Sequence, residues 1–341
     1  MNNQDRCLHL IKEAISDFKL DLSGLTIYTE AATGYPGLTP IIALAANAQS
    51  VIAVARSSHY GSEDEAIGNV EIIAHKIGAQ HRIIFSRNRL KHIEKADIIT
   101  NTGFVRPINA EMVALMKPTA VVPLMVETWE HRPEDVDLIA CAEKGILVLG
   151  TNEIGRRLNI FQYVGELVIK LLHELDIEIA NSLFAIIGND HFGTHALLAL
   201  RNAQAGPTMY VTPGDHNTLM RNADAIIVAE DRPTTMLFSD DSPITAGELK
   251  ELAPFTTVVQ IKGMIDRAAL TRAGIPFIPR EDRGPLHMGF TLDHLGPKPG
   301  IRLRTAGLKV GEAMARARIE GMSVETAKGF ALKSSPAMDF V

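Results

Sequence analysis

The sequence predicts an α/β protein of two doubly wound parallel-sheet lobes with a cleft between them. Three observations carry this expectation. The chain has 341 residues, too many for one ordinary core and suited to two domains of roughly 100–200 residues each. Short runs rich in Val, Ile and Ala alternate with helix-length amphipathic stretches, the pattern of strands buried on both faces by crossover helices. A long apolar-periodic segment, Asn159–Leu175, divides these runs into two series.

In the first series, strands are expected at Leu25–Tyr28, Val51–Ala55, Arg82–Phe85, Asp97–Thr100, Ala120–Leu124 and Ile146–Leu149. Helices are expected at Pro40–Ala48, Glu63–Ile77 and Asn109–Met116, with Asn109 as N-cap. Asn159–Leu175 reads as a helix linking the lobes. The second series runs Leu183–Ile187, Met209–Val211, Ala225–Val228, Thr257–Ile261 and Ile275–Ile278. A Gly/Pro-rich stretch, Gly284–Gly300, leads to a closing helix at Ala306–Ile319.

Apolar residues make up 46% and charged residues 22%, a globular balance that excludes wholesale disorder. The net charge of -6, without a basic run, argues against a nucleic-acid partner. Cys7 and Cys141 stand alone, without metal-ligand spacing, so neither a disulfide framework nor a metal site is expected. No apolar run reaches the roughly 18 residues of a membrane helix, and MNNQDRCLHLIKEAI lacks the order of a signal peptide. A cytoplasmic protein with no membrane partner is the expectation.

Ligands of open parallel sheets bind beyond the carboxyl ends of the strands. In the first series those ends carry Thr29-Glu30, Arg56-Ser57-Ser58, Ser86-Arg87, Asn101-Thr102-Gly103, Glu127-Thr128-Trp129-Glu130 and Thr151-Asn152-Glu153. Together they suggest a site for a small polar substrate, with Glu30, Thr102, Glu127, Trp129 and Arg132 as its binding residues. Glu127 would receive an ammonium or hydroxyl, Arg132 would grip a carboxylate, and Trp129, the sole tryptophan, would form an apolar wall. The alternative is a solvated surface turn, with Pro133 starting a helix around Glu134–Glu143.

In the second series, Leu183–Ile187 runs into Gly188-Asn189-Asp190-His191-Phe192-Gly193 and then a helix, Thr194–Asn202. Strand, glycine turn and helix follow in the order of a Rossmann-like dinucleotide site. Gly188, Asn189, Asp190, His191, Phe192 and Gly193, with Thr212 and Glu230 at later strand ends, are the candidate residues for NAD or NADP. Asp190 replaces the middle glycine of GxGxxG and brings a carboxylate to where backbone would meet pyrophosphate. The alternative is a turn with a structural role only. The ribose-binding acid expected after the next strand is replaced by Thr212, with Asp215 slightly farther on. His191 and His195 have metal-compatible spacing but no third ligand nearby.

The order of elements resembles that of the D-2-hydroxyacid dehydrogenases. The resemblance is carried by Asp137–Ile146, by Gly165-Glu166, by Ala223–Val228, which matches an ADIIV strand, and by Val258–Leu270, which is similar to NxxRGxxxDxxAL. It implies a flavodoxin-like substrate lobe at residues 1–157, completed by 301–341, and a nucleotide lobe at 158–300. It also implies a catalytic site at Lys262-Gly263, where the family has Arg-Gly, although lysine lacks the arginine fork. The family's proton-donating histidine has no counterpart in Ile301–Ala306. His287 or His294 is the candidate substitute, with Glu281 or Asp282 orienting it. A homodimer is the expected assembly.

The leading expectation is an NAD(P)-dependent oxidoreductase acting on a small hydroxy, oxo or amino acid. The alternatives are a non-redox lyase, isomerase or condensing enzyme, with Glu30, Glu127 or Lys262 as base, and a non-catalytic ligand-binding protein.

Overall fold

In the computed structural model, which describes residues 3–155, 157–212, 221–284 and 287–340, the first helix is α1, Asn3–Phe18. Cys7, Leu10, Ile11, Ala14 and Phe18 bury one helical stripe. The chain then alternates through β1 (Thr26–Ala31), α2 (Leu38–Ala45), β2 (Ser50–Ala55), α3 (Glu63–Lys76) and β3 (Ile83–Ser86). Ser62 and Glu65 start α3 with a capping box. There follow β4 (Ile98–Ile99), α4 (Ala110–Leu115), β5 (Val121–Pro123), α5 (Leu138–Lys144) and β6 (Leu147–Thr151). Asn109 caps α4 through Met112 N, as its sequence position suggests.

The second stretch comprises α6 (Gln162–Glu174), β7 (Phe184–Ile187), α7 (His191–Asn202), β8 (Thr208–Tyr210), β9 (Ala225–Ala229) and α8 (Ala246–Leu252). It ends with β10 (Thr257–Lys262), α9 (Arg267–Arg272) and β11 (Phe277–Ile278). The chain closes with α10 (Pro297–Ile319), α11 (Val324–Ser334) and the short β12 (Ala337–Met338). The chain divides into two compact units, residues 1–159 with 297–341, and residues 160–296.

Each unit has its own sheet. In the first, the order is β12-β6-β5-β4-β1-β2-β3, parallel except for β12 against β6. In the second it is β11-β10-β9-β7-β8, all parallel. The central strands β1, β2, β9 and β10 are buried along nearly their whole length. That explains why the sequence shows continuous apolar runs rather than alternation. Separate apolar clusters cover the two faces of each sheet.

The expected closing helix starts nearer the Gly/Pro-rich stretch than its apolar pattern indicates. Pro297 and Pro299 lie in the first turn of α10, where amide protons have no intrahelical acceptor, so proline is tolerated. Small residues then let α10 lie close to its own sheet. A Cβ at Gly311 would come within 2.8 Å of Ile98 and 3.0 Å of Pro123. Likewise, α5 begins after the cap Asp137 and not at Pro133, because the Asp137 carboxylate accepts from Ala140 N. Among the described residues, no helix is long and apolar enough to cross a membrane.

Candidate active site at the strand ends

The unit 1 sheet winds outward from β1 to β3 in one direction and from β4 to β6 in the other. The switch point therefore lies between β1 and β4, where crossover helices diverge and leave a crevice. Glu30, the penultimate residue of β1, stands there at only 6% exposure. Its Oε2 accepts a hydrogen bond from Phe104 N at 2.9 Å. A Cβ at the exposed Gly103 would lie 3.3 Å from the same oxygen. Burial pushes the Glu30 carboxyl above the usual carboxylate range, partly offset by the Phe104 amide and the guanidiniums of Arg304 and Arg106.

The ends of β1 and β4 also carry a line of linked hydroxyls. Thr100 Oγ1 lies 2.9 Å from Thr29 Oγ1 and 3.0 Å from Thr102 Oγ1. Neighbouring strand ends add a second group. Asp135 Oδ2 takes Arg106 Nη1 at 2.6 Å and Arg132 Nη1 at 3.4 Å, so one carboxylate orients two guanidiniums. The Nε of Arg132 is buried without a hydrogen-bond partner, an orphan donor of the kind a bound anion satisfies.

Glu127 has a different environment from the one its sequence suggests. It is 3% exposed and accepts from Trp129 Nε1 at 2.7 Å and from Glu153 N at 3.0 Å. Its carboxylate thus ties the loops after β5 and β6 together and fixes the half-buried Trp129. His131 bonds through Nε2 to Val136 O at 2.9 Å and meets the Phe340 ring edge-on.

Unit 2 has its switch point between β7 and β9. Gly188 has φ +111°, and a Cβ there would fall 2.2 Å from Ala229 O. A Cβ at Gly193 would fall 1.9 Å from Gly188 O. Both glycines therefore serve close packing of turn, strand and helix. The helix starts at His191, earlier than its apolar period shows, because Asp190 is its N-cap. Asp190 Oδ1 accepts from Phe192 N at 2.8 Å and Gly193 N at 3.4 Å, while Oδ2 accepts from Asp231 N. Asn189 and His191 are exposed, and the His191 and His195 rings lie against Phe161.

Lys262 ends β10 at 1% exposure. Its Nζ pairs with Asp231 Oδ1 at 2.9 Å and lies 4.8 Å from the Phe192 ring centroid. Glu230 stands next to this pair. Burial and the nearby Asp190 charge raise its pKa, and its Oε2 is buried without a hydrogen-bond partner. Thr212, following β8, is exposed, and Asp215 lies outside the described residues.

Of the proposed histidines, His287 is exposed, as is Glu281, while Asp282 pairs with Arg267 at 3.4 Å. His294 bonds to Glu174 at the end of α6, at 2.9 Å. The start of α6 lies by the first turn of α7, where Phe161 meets Phe192 edge-on. The end of α6 leads toward the amino end of β7. A helix of 13 residues spans roughly 20 Å, so His294 is placed at the opposite edge of the sheet from Lys262.

The strand-end reading of the sequence missed Arg106, Asp135, Asp231 and Arg304. Arg106 closely follows the Asn101-Thr102-Gly103 loop and was within reach of that reading. Arg304 was not, because it comes from α10, far along the chain.

No protein-family model matches this chain, and no curated protein sequence matches it. Its structure is similar to that of a dipicolinate synthase subunit from Bacillus halodurans, with 13% identity, TM-score 0.54, and coverage of 84% of this chain and 96% of that one. A dipicolinate synthase chain from Bacillus subtilis gives 12% identity, TM-score 0.53, and coverage of 90% and 99%. A Ralstonia solanacearum protein named for D-3-phosphoglycerate dehydrogenase gives 11% identity, TM-score 0.50, and coverage of 91% and 100%. The chain shares its fold with these proteins at low sequence identity.

That fold implies a dinucleotide at the glycine turn of unit 2. The residues there do not fit one: the Phe192 and Gly193 amides that would face a pyrophosphate already hold Asp190. The Asp190 carboxylate thus stands on the donors that a pyrophosphate would need.

Proposed function

We propose that this protein is a non-redox enzyme that transfers a proton on a small hydroxy, oxo or amino acid held at the strand ends of unit 1. The observation that carries the reading is Glu30, a buried carboxyl of raised pKa at the switch point, under the influence of the Arg304 and Arg106 guanidiniums, with linked threonine hydroxyls at the ends of β1 and β4. A carboxyl so shifted suits proton transfer closer to neutral pH than an ordinary one. Arg132 and Arg106, held in place by Asp135, would take the substrate carboxylate and the charge that develops as a C–H proton leaves. Thr100 and Thr102 would orient the substrate oxygen, and Trp129 would wall the site.

Deuterium exchange tests this directly. Pyruvate, malate, lactate, aspartate and alanine, each incubated with the protein in D2O, are followed by proton NMR. At least one should lose the C–H signal adjacent to its carbonyl or carboxylate. Pyruvate with NADH or NADPH should show at most trace nicotinamide oxidation, and malate, lactate, aspartate and alanine with NAD+ or NADP+ at most trace nicotinamide reduction. Brisk nicotinamide turnover in either direction without C–H exchange would reject the reading.

A second reading, an NAD(P)-dependent oxidoreductase on the same small acids, is favoured by one observation. Gly188 and Gly193 keep the close packing of strand, turn and helix that a dinucleotide fold uses. Thr212, in place of an acid after β8, gives that reading no preference for NAD over NADP.

A further inference from the structure

We infer that the glycine turn of unit 2 carries its own anion: the Asp190 carboxylate stands in the place of a cofactor phosphate and closes the turn to dinucleotides. Four contacts make the case. Asp190 Oδ1 lies on the Phe192 and Gly193 amides at the start of α7, the donors a pyrophosphate would use. Its Oδ2 takes the Asp231 amide from the loop after β9. Asp231 in turn holds the buried Lys262 at the end of β10. One side chain therefore satisfies the helix terminus and ties β7, β9 and β10 together across the switch point, and unit 2 keeps the shape of a dinucleotide lobe while its anion seat is filled from within.

The arrangement separates two roles that the glycine pattern usually combines. Gly188 and Gly193 are retained because a Cβ at either would strike backbone oxygen, whether or not a ligand is present. The middle position has no such steric demand once no ligand backbone contact is needed, and an N-capping aspartate stabilises the helix there. This inference goes beyond the proton-transfer reading and does not depend on it, since it concerns unit 2 alone.

The test is a calorimetric titration of NADH, and separately of inorganic pyrophosphate, into the wild-type chain, Asp190→Gly and Asp190→Asn. The wild-type chain should show no saturable binding in the millimolar range. Asp190→Gly frees the amides and removes the charge, so NADH affinity should rise at least about tenfold at low salt and fall again as salt screens the attraction. Its Tm should drop slightly through loss of the cap and of the bond from Asp231 N. Asp190→Asn keeps an acceptor for the α7 amides and gives up only the bond from Asp231 N; loss of charge alone should raise affinity severalfold. Saturable NADH binding by the wild-type chain, or folded variants of which neither gains affinity, would overturn the inference. Should Asp190→Gly fail to fold, Asp190→Asn decides alone, with affinity equal to wild type counting against it.

Discussion

Gly193→Ala is expected to destabilise unit 2 by about 3 kcal/mol or more, the upper range for overpacking a close contact, while leaving unit 1 folded. The new Cβ would sit 1.9 Å from Gly188 O, and a backbone atom cannot swing aside as a side chain can. Nor can Gly188 retreat, since its own α-carbon faces Ala229 O, 2.2 Å from where a Cβ would stand. Gly68→Ala provides the control. Gly68 lies within α3 with nothing within 4 Å of its added Cβ, so helix propensity should make that variant more stable by up to about 1 kcal/mol. Urea unfolding followed by amide exchange in Phe184–Ile187 and in Thr26–Ala31 separates the two units. Equal protection of Phe184–Ile187 in Gly193→Ala and the wild type would contradict the packing described.

The second large effect is expected at Glu30. Glu30→Gln keeps an acceptor for Phe104 N but cannot exchange a proton, so deuterium exchange on any acid turned over should slow by roughly 10²–10⁴-fold, the usual worth of a general acid or base. Stability should respond with a defined sign. Burial raises the Glu30 pKa in the folded chain, so the folded state holds this proton more tightly than the unfolded state does. Its contribution is therefore fully present below the ordinary carboxylate range and is lost as pH rises through the raised value. Glu30→Gln has no such loss, and the stability difference in its favour should grow across that window and then level off. Denaturant midpoints measured across pH would show this; a difference that shrinks with rising pH would mean Glu30 is held as a stabilised carboxylate.

The alternation of strands and helices was legible because β1, β2, β9 and β10 are buried nearly throughout and so spell continuous apolar runs. The glycine turn was legible for a related reason: Gly188 and Gly193 are fixed by contacts that any residue with a Cβ would violate. The sequence also showed that a charge enters the turn at Asp190. It did not show where the carboxylate goes, because its second partner, the Asp231 amide, comes from another strand end. The same limit hid the environment of Glu30, which depends on Arg106 and on Arg304 from α10. His294 was the least readable residue, since its partner Glu174 is set by how the loop after β11 lies on α6. Local pattern reports which strand ends are polar; the pairing among them belongs to topology.

Hydrogen–deuterium exchange of the wild-type chain tests most directly where its chemistry resides. The protein is exchanged alone, with each acid of the panel, and with NADH. A bound acid should slow exchange in the loops that hold the Phe104 amide and the Arg132 turn, while NADH leaves residues 188–193 and 229–232 unchanged. Protection of residues 188–193 and 229–232 by NADH, with the loops of unit 1 indifferent to every acid, would place the chemistry at the glycine turn and contradict this account.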